Sequence, residues 1–299
     1  MIADAGKRYT LVPEETIPSK AKSVKSLTPF AKRSAQLAAG FVCAIALAAG
    51  VPTVAGAQVL TTDNVCGKTA DVRGITAENL PDIDATNALV MGKDGTVYYA
   101  RDADEQVKIA SITKVMTAIL TVENCKMDEK VTVSNAAATV GNSTAGLLEG
   151  DELTVEQALR GLMIPSGNDA AIAIAETLGE GMKTDDSQTA NEAFVAAMNA
   201  KAAELGMTET LFSNPHGLDI GAYDNEMYSC ARDVALMSAY AMGNETFRSI
   251  VSKESAQITV TRADGKPQVI DLQSTDRLLG TYEGACGIKT GYTEAAGNS

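Results

Sequence analysis

Apolar residues recur along this chain with two different periods. Asn87-Ala-Leu-Val-Met and Thr96-Val-Tyr-Tyr-Ala are short apolar runs about Gly92-Lys-Asp-Gly, which predicts a β-hairpin. Over 111–123 the apolar positions Ile112, Val115, Met116, Ile119 and Leu120 fall three and four apart, the spacing of one helix face. Helical patterns continue over 154–163, 168–178, 188–205 and 230–242, with Ala-rich faces suited to close packing. Strand character then returns. Residues 256–261 and 267–272 flank Ala263-Asp-Gly-Lys as a second hairpin, and 284–290 is a short apolar segment that predicts a further strand. Residues 58–85 begin polar and without clear period, as a leader or a short first helix. Strands at both ends with helices between predict one α+β domain over 86–299, its antiparallel sheet built from amino- and carboxy-terminal strands around a helical subdomain.

Composition removes several chemistries. The 299 residues carry a formal charge of −13 and a pI near 4.6, which argues against a nucleic-acid partner, because phosphate backbones are held by Lys and Arg. A single histidine, His216, excludes every multi-histidine metal site and leaves one candidate for a Ser-His-Asp triad. No metal and no cofactor is indicated. The charge is uneven: residues 1–57 hold seven basic and three acidic side chains, a net of +4, leaving −17 for the rest. After Lys32-Arg33 come an uncharged apolar stretch, 37–51, and Ala55-Gly56-Ala57, the three parts of a secretory signal cleaved after Ala57. An extracytoplasmic protein follows from this. Cys43 leaves with the signal, and Cys66, Cys125, Cys230 and Cys286 remain, as free thiols or in one of three pairings.

Three short motifs carry chemistry. In Ser111-Ile-Thr-Lys114 the i, i+3 spacing puts a lysine on the same helix face as a serine, and a lysine kept neutral can activate that hydroxyl without any histidine. Pro165-Ser166-Gly167-Asn168 forms a turn that can aim a hydroxyl and an amide into one cleft. In Lys289-Thr290-Gly291 a Lys and a Thr can meet a carboxylate, and the glycine leaves room for backbone approach. Each alone also fits a bland role: an exposed helix start, a helix N-cap, a strand end.

In this order the three match the S-x-x-K, S-D-N and K-T-G set of class A β-lactamases and penicillin-binding proteins, with S-G-N in the middle. The chain resembles the low-molecular-mass penicillin-binding proteins that are serine-type D-alanyl-D-alanine carboxypeptidases, peptidase family S11. Residues 109–117, 145–176 and Phe212-Ser-Asn-Pro-His-Gly-Leu-Asp219 carry the likeness closely, and it runs from about Asn87 to the end. The resemblance implies a β-lactamase/transpeptidase-like fold and a stem peptide of peptidoglycan ending in D-Ala-D-Ala as substrate. It implies Ser111 as nucleophile, Lys114 as base, Ser166 as proton relay and Asn168 as a donor that orients the substrate amide. It further implies Lys289 as a source of positive potential, Thr290 as the carboxylate binder, and the Ser111 and Tyr292 N–H groups as the oxyanion hole. β-Lactams are the expected inhibitors, acylating Ser111. His216 falls in a family-like turn and is expected to be structural.

The sequence stops eight residues after Gly291, whereas the family's sheet continues. A truncated chain is therefore expected, lacking its last strands and any region that associates with the outer face of the membrane. Two alternatives stay open: a D,D-endopeptidase or weak β-lactamase on the same scaffold, and an inactive muropeptide- or penicillin-binding protein.

Overall fold

The structure is a computed structural model that describes residues 63–224 and 226–299. The expected signal, 1–57 with Cys43, lies outside these residues. The described residues open on a hairpin: β1 (Asn64–Val65) and β2 (Lys68–Thr69) turn at Cys66 and Gly67, whose φ angles of 47° and 76° match the twist of a two-residue loop. The helix within 58–85 is a single 3-10 turn, Ala77–Asn79. The hairpin anticipated next is β3 (Ala88–Met91) and β4 (Val97–Arg101), with Gly95 at φ 84° and Asp94 Oδ1 accepting from Thr96 N at 3.0 Å. These four strands form one antiparallel sheet in the order β2-β1-β4-β3. Side chains fasten β1 to it. The buried Asp63 carboxylate accepts from Tyr99 Oη at 2.6 Å and pairs with Arg101 at 2.9 Å, both on β4.

The helical body starts with a 3-10 turn, Ala110–Thr113, that runs into α1 (Lys114–Asn124). Ser111 thus sits on the tighter turn, not inside the predicted α-helix. Its spacing to Lys114 is favoured by this, because i and i+3 side chains eclipse in a 3-10 helix. After α1 come β5 (Lys130–Thr132), α2 (Asn135–Thr139), β6 (Glu152–Thr154), α3 (Val155–Met163), α4 (Asn168–Gly179), α5 (Ala190–Glu204), α6 (Ala231–Ala241) and α7 (Glu245–Val251). Thr154 and Gln157 close a capping box at α3, and Thr189 and Glu192 another at α5. The core centres on α4, whose run 170–175 is wholly buried against α1, α2, α3 and α5. Alanines there allow close approach: a methyl on Gly179 would stand 1.9 Å from Ala190 O.

The second predicted hairpin is β7 (Ser255–Thr261) and β8 (Pro267–Gln273), and a last one pairs β9 (Tyr292–Thr293) with β10 (Gly297–Asn298). The α+β class holds. The single sheet of amino- and carboxy-terminal strands does not form among the described residues: β4 has both edges taken by β1 and β3, β7–β8 joins β5 and β6 in the order β5-β6-β7-β8, and β9 pairs only with β10. Nor is 284–290 a strand, because Gly284 (φ 86°) and Gly287 (φ 120°) interrupt the extended run.

Candidate active site

The 3-10 turn carries Ser111, the segment before β9 lies against it at Gly291, and Asp169 at the start of α4 is near enough to act on Lys114 electrostatically. Ala110 enters the turn in the left-handed region, at φ 45°, and is buried. Lys114 is fully buried, and its Nζ lies 2.8 Å from Ser111 Oγ while donating to the His216 carbonyl, also at 2.8 Å. Burial and then the positive charge of Lys289 hold its pKa well below the lysine range, against a smaller opposing pull from Asp169. A neutral amine has a lone pair to offer, and the carbonyl contact leaves that lone pair free for the serine proton.

Ser166 is buried and held at φ 66°, a conformation that costs a non-glycine residue of order 1–2 kcal/mol and that aims a side chain where an ordinary turn would not. Gly167 follows because nothing larger fits: a methyl would meet Gly161 O at 2.7 Å and Ala145 N at 3.0 Å. Asn168 opens α4, its Nδ2 donating to Gly141 O at 3.0 Å, its N to Ser143 O at 2.8 Å, with Oδ1 buried and unpaired. Beside it the Asp169 carboxylate accepts from the N–H groups of Ala145 (2.9 Å), Leu147 (3.0 Å) and Ala170 (2.8 Å). Burial raises its pKa, and those donors oppose the rise.

Lys289 donates to Thr290 O at 2.8 Å, and burial pushes its pKa down to about 8. Thr290 Oγ1 lies 2.7 Å from Thr275 Oγ1. Gly291 brings this segment onto the Ser111 turn: a methyl there would stand 2.9 Å from Ile109 O and 3.3 Å from Ser111 N. Tyr292, first residue of β9, is exposed. Ser111, Lys114, Lys289 and Gly291 are therefore near one another, and Thr275 ties Thr290 to the stretch just before Ser166 through its N–H on Ile164 O.

The family described as D-alanyl-D-alanine carboxypeptidase, peptidase S11, matches residues 74–299. The chain belongs to this family. Its relatives include the D-alanyl-D-alanine carboxypeptidase of Streptomyces sp. K15, 36% identical over 79% of this chain and 82% of that protein. DacF of Bacillus subtilis is 35% identical over 71% of this chain, which spans about half of it, 52%. Among solved structures, the Streptomyces K15 DD-transpeptidase aligns with a TM-score of 0.65 at 33% identity, covering 73% of this chain and 84% of that one. An evolved penicillin-binding protein homolog from Mycobacterium tuberculosis aligns with a TM-score of 0.64 at 34% identity, over 73% of this chain and 77% of its own.

In this S11 carboxypeptidase two contributors escaped the motifs. One is the His216 main chain, which accepts from Lys114; the His216 ring points elsewhere, with Nδ1 accepting from Leu218 N at 3.1 Å and its edge on Tyr223 at 4.5 Å. Burial above all drives the ring's pKa down to about 3, so it stays neutral, in agreement with a structural role. The signal for it was Asn214-Pro215-His216-Gly217, a turn strung on the Asn214 side chain, which bonds His216 N, Gly217 N and Leu218 O. The other is Asp169, visible only as an acid beside S-G-N. The four cysteines from Cys66 on are all free thiols.

Proposed function

We propose that this chain removes the terminal D-alanine from peptidoglycan stem pentapeptides through an acyl-enzyme on Ser111. Lys114 takes the Ser111 proton as Oγ attacks the carbonyl of the penultimate D-alanine. The N–H groups of Ser111 and Tyr292 receive the developing oxyanion. Ser166 passes its proton to the leaving nitrogen and receives in exchange the one Lys114 accepted, the C–N bond breaks, D-alanine departs, and Lys114 is neutral again. Water then attacks the ester, Lys114 again acting as base, and the freed carboxyl and Ser111 restore the resting site. Asn168 donates to the substrate amide, while Lys289 and Thr290 hold the terminal carboxylate, with Gly291 giving the backbone room to approach. A β-lactam enters by the same route and stays as the ester. Wall peptide is outside the cytoplasmic membrane, and the basic-apolar-small pattern of residues 1–57 supports export to it.

The observation that carries this reading is the buried lysine amine 2.8 Å from a serine hydroxyl and tied to a carbonyl rather than a carboxylate. A fluorescent penicillin should label the protein at Ser111, and the protein should release D-alanine from a pentapeptide. Labelling that survives Ser111→Ala sinks the proposal, and labelling without D-alanine release reduces it to penicillin binding.

A further inference from the structure

Thr290 is flanked by an exposed turn that no motif announces. Thr275 follows β8, and its N–H donates to Ile164 O at 3.2 Å, just before Pro165-Ser166. Asp276 Oδ1 accepts from Leu278 N at 2.9 Å and closes the turn. Thr275 is thus tied through its main chain to the segment that carries Ser166 and through its hydroxyl to Thr290, 2.7 Å away.

The direction of that hydroxyl pair decides what the site can accept. Each hydroxyl has one hydrogen and two lone pairs, and an ionised carboxylate only accepts. If Thr290 spent its hydrogen on Thr275, it would turn a lone pair toward an anionic ligand. If Thr275 donates, the Thr290 hydrogen is free and faces the ligand, in a charge-assisted bond about twice as strong as a neutral one. Resting on the carboxypeptidase reading above, we infer that Thr275 is a positioning residue that aims the Thr290 hydroxyl and makes the site selective for ligands with a free terminal carboxylate.

The test compares acylation of the full chain by benzylpenicillin and by its methyl ester. Thr275→Val keeps the shape and removes the donor, so the rate constant for the free acid should fall roughly three- to tenfold while that for the ester changes less than about twofold. Thr275→Ser retains a hydroxyl and should keep the wild-type ratio of acid to ester. A Thr275→Val ratio equal to wild type overturns the inference, including the case where both rates fall together, as a purely structural tie would give. A wild-type chain that takes neither compound overturns the carboxypeptidase reading and this inference with it.

Discussion

The proposed reaction needs its two lysines in opposite protonation states. In the mechanism proposed above, Lys114 acts when neutral and Lys289 when charged. On that mechanism acylation should be lost at low pH as Lys114 takes up a proton, and should fall again as pH rises through about 8 and Lys289 loses its own. Lys289→Arg keeps the charge at every accessible pH, so the alkaline fall near 8 should vanish from the pH profile of benzylpenicillin acylation, whatever the maximum rate. Lys289→Gln removes a cation that disfavours protonation of Lys114, so its acid limb should move to higher pH. An alkaline limb unchanged in Lys289→Arg would assign it to another group. At this scale the sequence was informative where side chains act and silent where main chain does. Ser111, Lys114, Ser166, Asn168 and Lys289 were visible as residue types in order, whereas the His216 carbonyl that fixes Lys114 is a group every residue possesses.

At the scale of elements, the site is a set of close approaches between turns. Gly217, at φ 89°, lies so near the Ala110–Thr113 turn that a methyl on it would stand 1.9 Å from Ala110 O. Gly217→Ala should therefore push the Ala110–Thr113 turn out of place, and a shift of about 1 Å can cost a reaction ~100-fold. Gly206, at φ 75° with open space around it, is the control. Gly206→Ala carries the conformational cost of about 1 kcal/mol and should leave acylation unchanged. Acylation rates and melting curves of the two variants check this: equal loss of stability without loss of rate in Gly217→Ala would refute the packing argument. Helices and hairpins were readable because an apolar face or an alternation repeats several times within them. The three-residue strands β5 and β6 complete no such repeat, and 284–290 reads as a strand until its two glycines adopt positive φ.

Across the whole molecule, the sheet that flanks the helical body depends on one acid at its entry. β1 is two residues long and pairs with β4 at Asn64 and Val65, and the Asp63 carboxylate adds side-chain ties to Tyr99 and Arg101. Breaking a buried pair costs about 3–5 kcal/mol, and Arg101 here keeps a quarter of its side chain in solvent, so roughly 1–3 kcal/mol is the better figure for Asp63→Asn. The sign of its pH dependence follows from linkage. Arg101 and Tyr99 hold the folded pKa of Asp63 below its ordinary value of 3.8, so the stabilisation is complete above that value and drains away as pH falls through the folded one. The gap in melting temperature between wild type and Asp63→Asn should be full at pH 7 and close progressively below about pH 4, because a protonated aspartate offers Arg101 no more charge than the amide does. A gap of the same size at pH 3 and pH 7 would mean that the shape and hydrogen-bonding pattern of the aspartate side chain, rather than its charge, fasten β1 to β4.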